Sequence, residues 1–153
     1  MLKAGLLIVG ILAVAAIIGP AVVPADPSAQ ELGLRLAGPT LGHPFGLDEL
    51  GRDVLSRVLA GARISFLVAI LVVAVSASFG TAIGAMAGYF GGWFDLLLSR
   101  VIDTLLAFPG LLLAIALVAV LGPSLANVLL ALSLIGWVSY ARLVRGQALR
   151  VRE

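Results

Sequence analysis

Cysteine is absent from the 153 residues, and histidine occurs once, at His43. The first absence excludes disulfides, thiolate metal sites and cysteine nucleophiles. The second excludes a His-rich metal cluster or a paired-histidine zinc motif. Charge is also scarce: 12% of the residues are Asp, Glu, Lys or Arg, where a soluble domain has about 25%. The ten basic and eight acidic groups leave a net charge of +2, too little and too scattered for a nucleic-acid surface. What fills the chain is apolar. Hydrophobic residues make up 61% and the mean hydropathy is +1.18. That excludes a water-soluble globular fold, a disordered tail and a secreted disulfide module, and leaves an all-α integral membrane protein.

The few charges divide the chain. Lys3 and Asp26 bracket one uncharged stretch, Arg63 and Asp95 a second, and Asp103 and Arg142 a third. About 20 apolar helical residues cross the roughly 30 Å hydrocarbon core. The first stretch predicts one span, Ala4–Val23. The second predicts a span over Ile64–Ala87, followed by a turn in the glycine-aromatic run Gly88-Tyr89-Phe90-Gly91-Gly92-Trp93. The third is long enough for two spans, Leu105–Leu121 and Leu125–Tyr140, joined by a tight turn at Gly122-Pro123-Ser124. The eleven strongly apolar residues of Leu105–Leu121 favour insertion by roughly 3 to 7 kcal/mol. Pro109-Gly110 detracts, but near the helix start, where a kink is tolerable. The fold expected is thus four transmembrane helices. A cleaved signal peptide fits the N-terminus less well: the apolar run exceeds the usual core, and Val22-Val23-Pro24-Ala25 is a poor cleavage site.

Four spans place both termini on one side. That side holds Lys3, Arg100, Arg142, Arg145, Arg150 and Arg152; the other holds Arg35, Arg52, Arg57 and Arg63. The excess puts both ends in the cytoplasm and Pro24–Arg63 outside, with Trp137 and Tyr140 as interfacial anchors.

The outer segment begins as a Pro- and Gly-rich loop, Pro24 to Pro44. Its second half predicts an extracytoplasmic amphipathic helix capped by Asp48, with Leu50, Val54 and Val58 on one stripe. Asp48–Arg52 and Asp53–Arg57 are spaced for i,i+4 ion pairs. A solvated connector is the plainer reading of the same segment. A lone His43 reads as a surface residue rather than a ligand, and Asp48, Glu49 and Asp53 lack the alternation of a calcium loop. Three domains follow: residues 1–25 as an anchor, 26–63 as an outer loop and helix, and 64–153 as a transmembrane domain.

Ser76, Gly80, Gly84 and Gly88 recur every four residues in the second span. That spacing makes a stripe of small side chains for close helix packing. No charged residue falls inside an assigned span; Asp95, Arg100 and Asp103 fall in the inner connection. This argues against an ion-coupled pathway and leaves no constellation for an intramembrane enzyme. No catalytic, cofactor-binding or metal-ligating residues are expected. The C-terminal arginines Arg142, Arg145, Arg150 and Arg152 read either as headgroup anchors or as a cytoplasmic contact surface for a partner.

Several blocks resemble a known family. His43-Pro44-Phe45-Gly46-Leu47-Asp48-Glu49-Leu50-Gly51-Arg52-Asp53-Val54-Leu55-Ser56-Arg57, then Gly61-Ala62-Arg63-Ile64-Ser65, resembles permeases of dipeptide, oligopeptide and nickel ABC importers. Gly88 to Asp95, Arg100-Val101-Ile102-Asp103, Phe108-Pro109, Gly122-Pro123-Ser124 and Tyr140 to Arg145 follow in the family's order. Leu47 stands where the family often has Thr. The resemblance implies one extra N-terminal helix plus three helices of a type I ABC permease core. It also implies a sister permease, two cytoplasmic ATPase subunits, an extracytoplasmic solute-binding protein and a bacterial or archaeal inner membrane. In the family a coupling loop and two more spans would follow Arg152-Glu153. The chain is therefore expected to be the N-terminal part of a permease, unable to support transport without the remainder. Peptides are favoured over nickel as solute. The rival reading is a small membrane scaffold assembled through the glycine stripe without moving a solute.

Overall fold

The computed structural model describes residues 2–23 and 26–152, with the side chains of Leu2, Pro20 and Arg152 outside the description. Pro24 and Ala25, where the outer segment begins and the weak cleavage site ends, fall outside it, as does the arginine head of Arg152 in the proposed contact surface. Five α-helices follow in order: α1 (Leu2–Val22), α2 (Val54–Phe90), α3 (Gly92–Leu106), α4 (Gly110–Leu121) and α5 (Leu125–Arg152). The described residues form no strand, only an isolated antiparallel bridge between Leu47 and Asp53. Two compact units divide within α2, Met1–Val68 and Ala69–Glu153.

Two helices, α2 and α5, are long and apolar enough to cross a membrane; α3 and α4 together make a third candidate, bent by 84°. The described apolar stretch of α1, Lys3–Gly19, is shorter. Large apolar side chains lie open: Ile17 is 70% exposed, Leu111 72% and Val120 86%. A water-soluble monomer does not carry so much uncovered apolar surface; lipid or neighbouring helices must cover it.

Three sequence expectations change. The expected span Leu105–Leu121 is not one helix. Pro109 has no amide to donate and pushes the residue before it out of the helical region, so α3 ends at Leu106 and α4 starts afresh at Gly110. The remaining α4 has 12 residues, about 18 Å, too short to cross alone.

The expected outer helix beginning at Asp48 is absent as a separate element. Gly51 takes φ +70°, a left-handed conformation that breaks a helix, and its amide closes a turn onto the Asp48 carbonyl at 3.0 Å. The helix begins instead at Val54 and runs unbroken through 37 residues to Phe90. Asp53 is its N-cap: the carboxylate accepts from the Ser56 amide at 2.7 Å and the Ser56 hydroxyl at 2.6 Å. The far end stops where Gly91 turns to φ +64°.

The expected interfacial anchor Trp137 is instead 8% exposed, in the core with Ala87, Leu98, Ile102, Val138 and Ala141. Its ring meets the edge of Phe79 at 5.7 Å.

Candidate functional site

In the first unit, the segment before α2 is held by two aspartates. Asp48 accepts from the Leu50 amide at 2.8 Å and the Arg52 amide at 2.9 Å, and it pairs with the guanidinium groups of both Arg52 and Arg57. The Asp48–Arg52 pair thus forms across a turn rather than along a helix. The expected Asp53–Arg57 pair does not form, because Asp53 is taken by Ser56 and by His43 Nδ1 at 3.2 Å. His43 is a partly exposed partner of the N-cap, not an isolated surface group. The Arg52 amide, opposed by desolvation and aided by the Leu50 amide and the Arg52 guanidinium, brings the Asp48 carboxyl down to about 2. Burial raises the Asp53 carboxyl, but the Ser56 hydroxyl and amide and His43 outweigh it and hold it below its ordinary value. No three His, Cys, Asp or Glu side chains converge as metal ligands among the described residues. Within the same unit Gly19 of α1 lies against Leu59 of α2.

In the second unit, Ser76, Gly80, Gly84 and Gly88 are all buried, and all four face α5. A methyl group on Gly80 would stand 2.7 Å from Tyr140 Cβ and 3.0 Å from the Ala141 nitrogen. One on Gly84 would stand 2.9 Å from Ala141 Cα, and one on Gly88 3.2 Å from the Arg145 carbonyl. Gly136 answers from α5: a methyl there would stand 2.5 Å from Ser76 Oγ. Backbone therefore lies against backbone, which is the contact that glycine permits and any larger residue prevents.

The helix α3 joins α5 through Leu98 and Ile102 in the core and through an ion pair. Arg145 makes a two-pronged contact with Asp95, one prong being Nη2 to Oδ2 at 2.9 Å. The side chains are 27% and 20% exposed. Of the four C-terminal arginines, Arg145 is thus committed within the chain, while Arg142 and Arg150 are exposed. The sequence reading missed the Asp95–Arg145 pair, for which residues 50 positions apart give no local signal. It also missed Asn127, whose amide group donates to the Leu121 and Gly122 carbonyls at 2.9 Å and closes the end of α4. The polar residue just after the Gly-Pro-Ser turn was the available clue.

The geometry is that of a helix-packing membrane subunit, and comparison with known proteins gives the family. Residues 80–153, just under half of the chain, match the family model of the binding-protein-dependent transport system inner membrane component. The dipeptide transport system permease protein DppC of Alkalihalophilus pseudofirmus is 42% identical over 149 residues, 97% of this chain and 49% of its own length. The probable D,D-dipeptide transport system permease protein DdpC of Escherichia coli K12 is 45% identical over 128 residues, 84% of this chain and 43% of its own. The glutathione transport system permease protein GsiD of Escherichia coli O6:K15:H31 is 48% identical over 116 residues, 76% of this chain and 38% of its own.

The chain belongs to this family of binding-protein-dependent permeases, and it is a multi-pass membrane protein. It spans about half the length, or less, of the curated relatives it matches. Those relatives are transport permease components.

Proposed function

We propose that the chain serves as a membrane subunit of a binding-protein-dependent ABC importer for di- or oligopeptides or a related small solute, nickel included. A sister permease would share the pore, two cytoplasmic ATPase subunits would supply ATP hydrolysis, and an extracytoplasmic binding protein would deliver the solute. The observation that carries the reading is the match to dipeptide permeases over nearly the whole chain, joined to a helix pair packed through glycine. In this reading α1, α2, α3–α4 and α5 make four crossings of a bacterial or archaeal inner membrane. Both termini are cytoplasmic, and residues 26–53 lie outside. The long α2, about 55 Å by its 37 residues, then extends beyond the hydrocarbon core at its ends. Ser76, Gly80, Gly84 and Gly88 hold α5 in place. The exposed Arg142 and Arg150, with Arg152, are the candidates for contact with a cytoplasmic partner.

Deleting the gene in its host and following uptake of a labelled dipeptide tests the reading. Loss of uptake, restored by the gene, supports it. Unchanged uptake of dipeptides, glutathione and nickel alike, with neighbouring membrane complexes disrupted, favours the scaffold alternative instead.

A further inference from the structure

The bent pair α3–α4 admits two topologies, a broken crossing or a re-entrant loop. Its contacts along α5 separate them. At the start of α3, Asp95 meets Arg145. Leu98 and Ile102 share the core with Ala141, Val138 and Trp137. Beyond the break, a methyl on Gly110 would stand 3.2 Å from Ile135 Cγ2. Ala114 and Val118 share a cavity of about 290 Å³ with Ala131 and Val128. At the end, the Leu121 carbonyl meets Asn127 at 2.9 Å. Taken in order along the pair, the partners on α5 run from Arg145 through Trp137–Ala141, Ile135 and Val128–Ala131 to Asn127. Eighteen helical residues correspond to about 27 Å, close to a hydrocarbon thickness. A re-entrant loop would return to the level at which it began; this pair does not.

The break then lies within the crossing. Around it the Ala107 amide reaches the Asp103 carbonyl and the Phe108 amide the Leu105 carbonyl, at 3.0 and 3.4 Å. The Leu106, Ala107 and Phe108 carbonyls and the Gly110, Leu111 and Leu112 amides have no backbone partner across the break among the described residues. Irregular backbone of this kind is not tolerated against lipid, where each unpaired group costs several kcal/mol; it must face protein or water. Asp103 is a second and independent indication. It sits about 12 Å along α3 from Asp95, it is exposed, and it forms no ion pair among the described residues. A carboxylate inside the crossing needs water or a partner.

We propose that α3 and α4 are two halves of one broken crossing, and that the joint at Ala107–Pro109, with Asp103 and Thr104 beside it, opens onto a water-filled path through the protein. The proposal rests on the membrane-subunit reading above and deepens it: the joint is a wall of the solute path. The absence of cysteine allows a direct test in membrane vesicles carrying the full chain. Single cysteines at Trp93 and Ser124 are labelled with a membrane-impermeant maleimide, and single cysteines at Thr104, Phe108 and Ile115 with a small cationic methanethiosulfonate. Trp93→Cys and Ser124→Cys should react from opposite faces. Thr104→Cys and Phe108→Cys should react at least tenfold faster than Ile115→Cys, an exposed position on α4. Labelling of positions 93 and 124 from one face overturns the crossing; a ratio near one overturns the water-filled joint. Hydrogen–deuterium exchange of the unsubstituted chain gives a second reading. The Gly110–Leu112 amides should exchange at least a hundredfold faster than those of residues 129–133, and equal protection again overturns the open joint. Uptake plays no part in either readout, so failure here is distinct from failure of the importer assignment.

Discussion

Gly84→Ala adds one methyl group where α2 meets the backbone of α5. The new Cβ would stand 2.9 Å from Ala141 Cα, closer than carbon atoms pack, and the obstructing atoms are backbone that no rotamer change can move. Overpacking of this kind costs about 1–3 kcal/mol. Alanine regains about 0.5–1 kcal/mol of helix propensity, so the net loss should be about 0–2.5 kcal/mol. Gly146→Ala is the matched control. It lies on α5 with nothing within 4 Å of the added methyl, so only the propensity gain applies there. The two variants should therefore differ by about 1–3 kcal/mol, whatever the absolute scale. Unfolding in mixed detergent micelles with increasing dodecyl sulfate measures the difference in a Trp93→Phe background, with the fluorescence of the remaining Trp137 as the probe, since that ring is buried against Phe79. If Gly84→Ala and Gly146→Ala shift the midpoint alike, α2 and α5 do not pack backbone to backbone, and the role assigned to the small-residue stripe is lost.

Three further outcomes follow from the same structure. Asp95→Ala and Arg145→Ala should each destabilise, and a double-mutant cycle in the same micelles should return a coupling of about 1.5–3 kcal/mol, as for a half-buried charged hydrogen bond; a coupling near zero removes the pair from the account. Asp53→Ala removes the N-cap of α2 and should weaken its first turn by about 1 kcal/mol, visible as faster hydrogen exchange at Ser56 and Arg57 while the Ala141 region is unchanged. The Asp48 carboxyl is depressed from 3.8 to about 2 in the folded chain, so its contribution is complete above about 3.8 and is lost as pH falls through about 2. Protection of the Leu50 and Arg52 amides should accordingly hold at pH 5 and fade toward pH 2, and Asp48→Asn should abolish that pH dependence; protection unchanged at pH 2 contradicts the assignment.

The apolar stretches, the scarcity of charge and the small-residue spacing are properties of the chain read in one dimension, so they were legible at once. Membrane residence follows from composition because lipid selects on transfer energy, residue by residue. The glycine stripe was legible because a period of four is nearly one helical turn. The boundary at Asp48 was misread for a specific reason. Asp48-Glu49 looks like a helix start, but Gly51 is the residue that can take the left-handed turn, and a second aspartate five residues on does the capping. Pro109 was visible too, yet apolar content outweighed it in the reading; in the folded chain its missing amide divides the span.

By itself, the sequence determined that this chain lives in a bilayer, where its first and last helices begin and which face of α2 is small, because those depend on local propensity and on transfer from water to lipid. Tertiary structure alone decided which helix fills the glycine stripe, that Arg145 closes on Asp95, and that α3 and α4 climb α5 in one direction. Those facts join residues up to 61 positions apart, as with Gly80 and Ala141, and no local pattern encodes a pairing that exists only once the helices have docked.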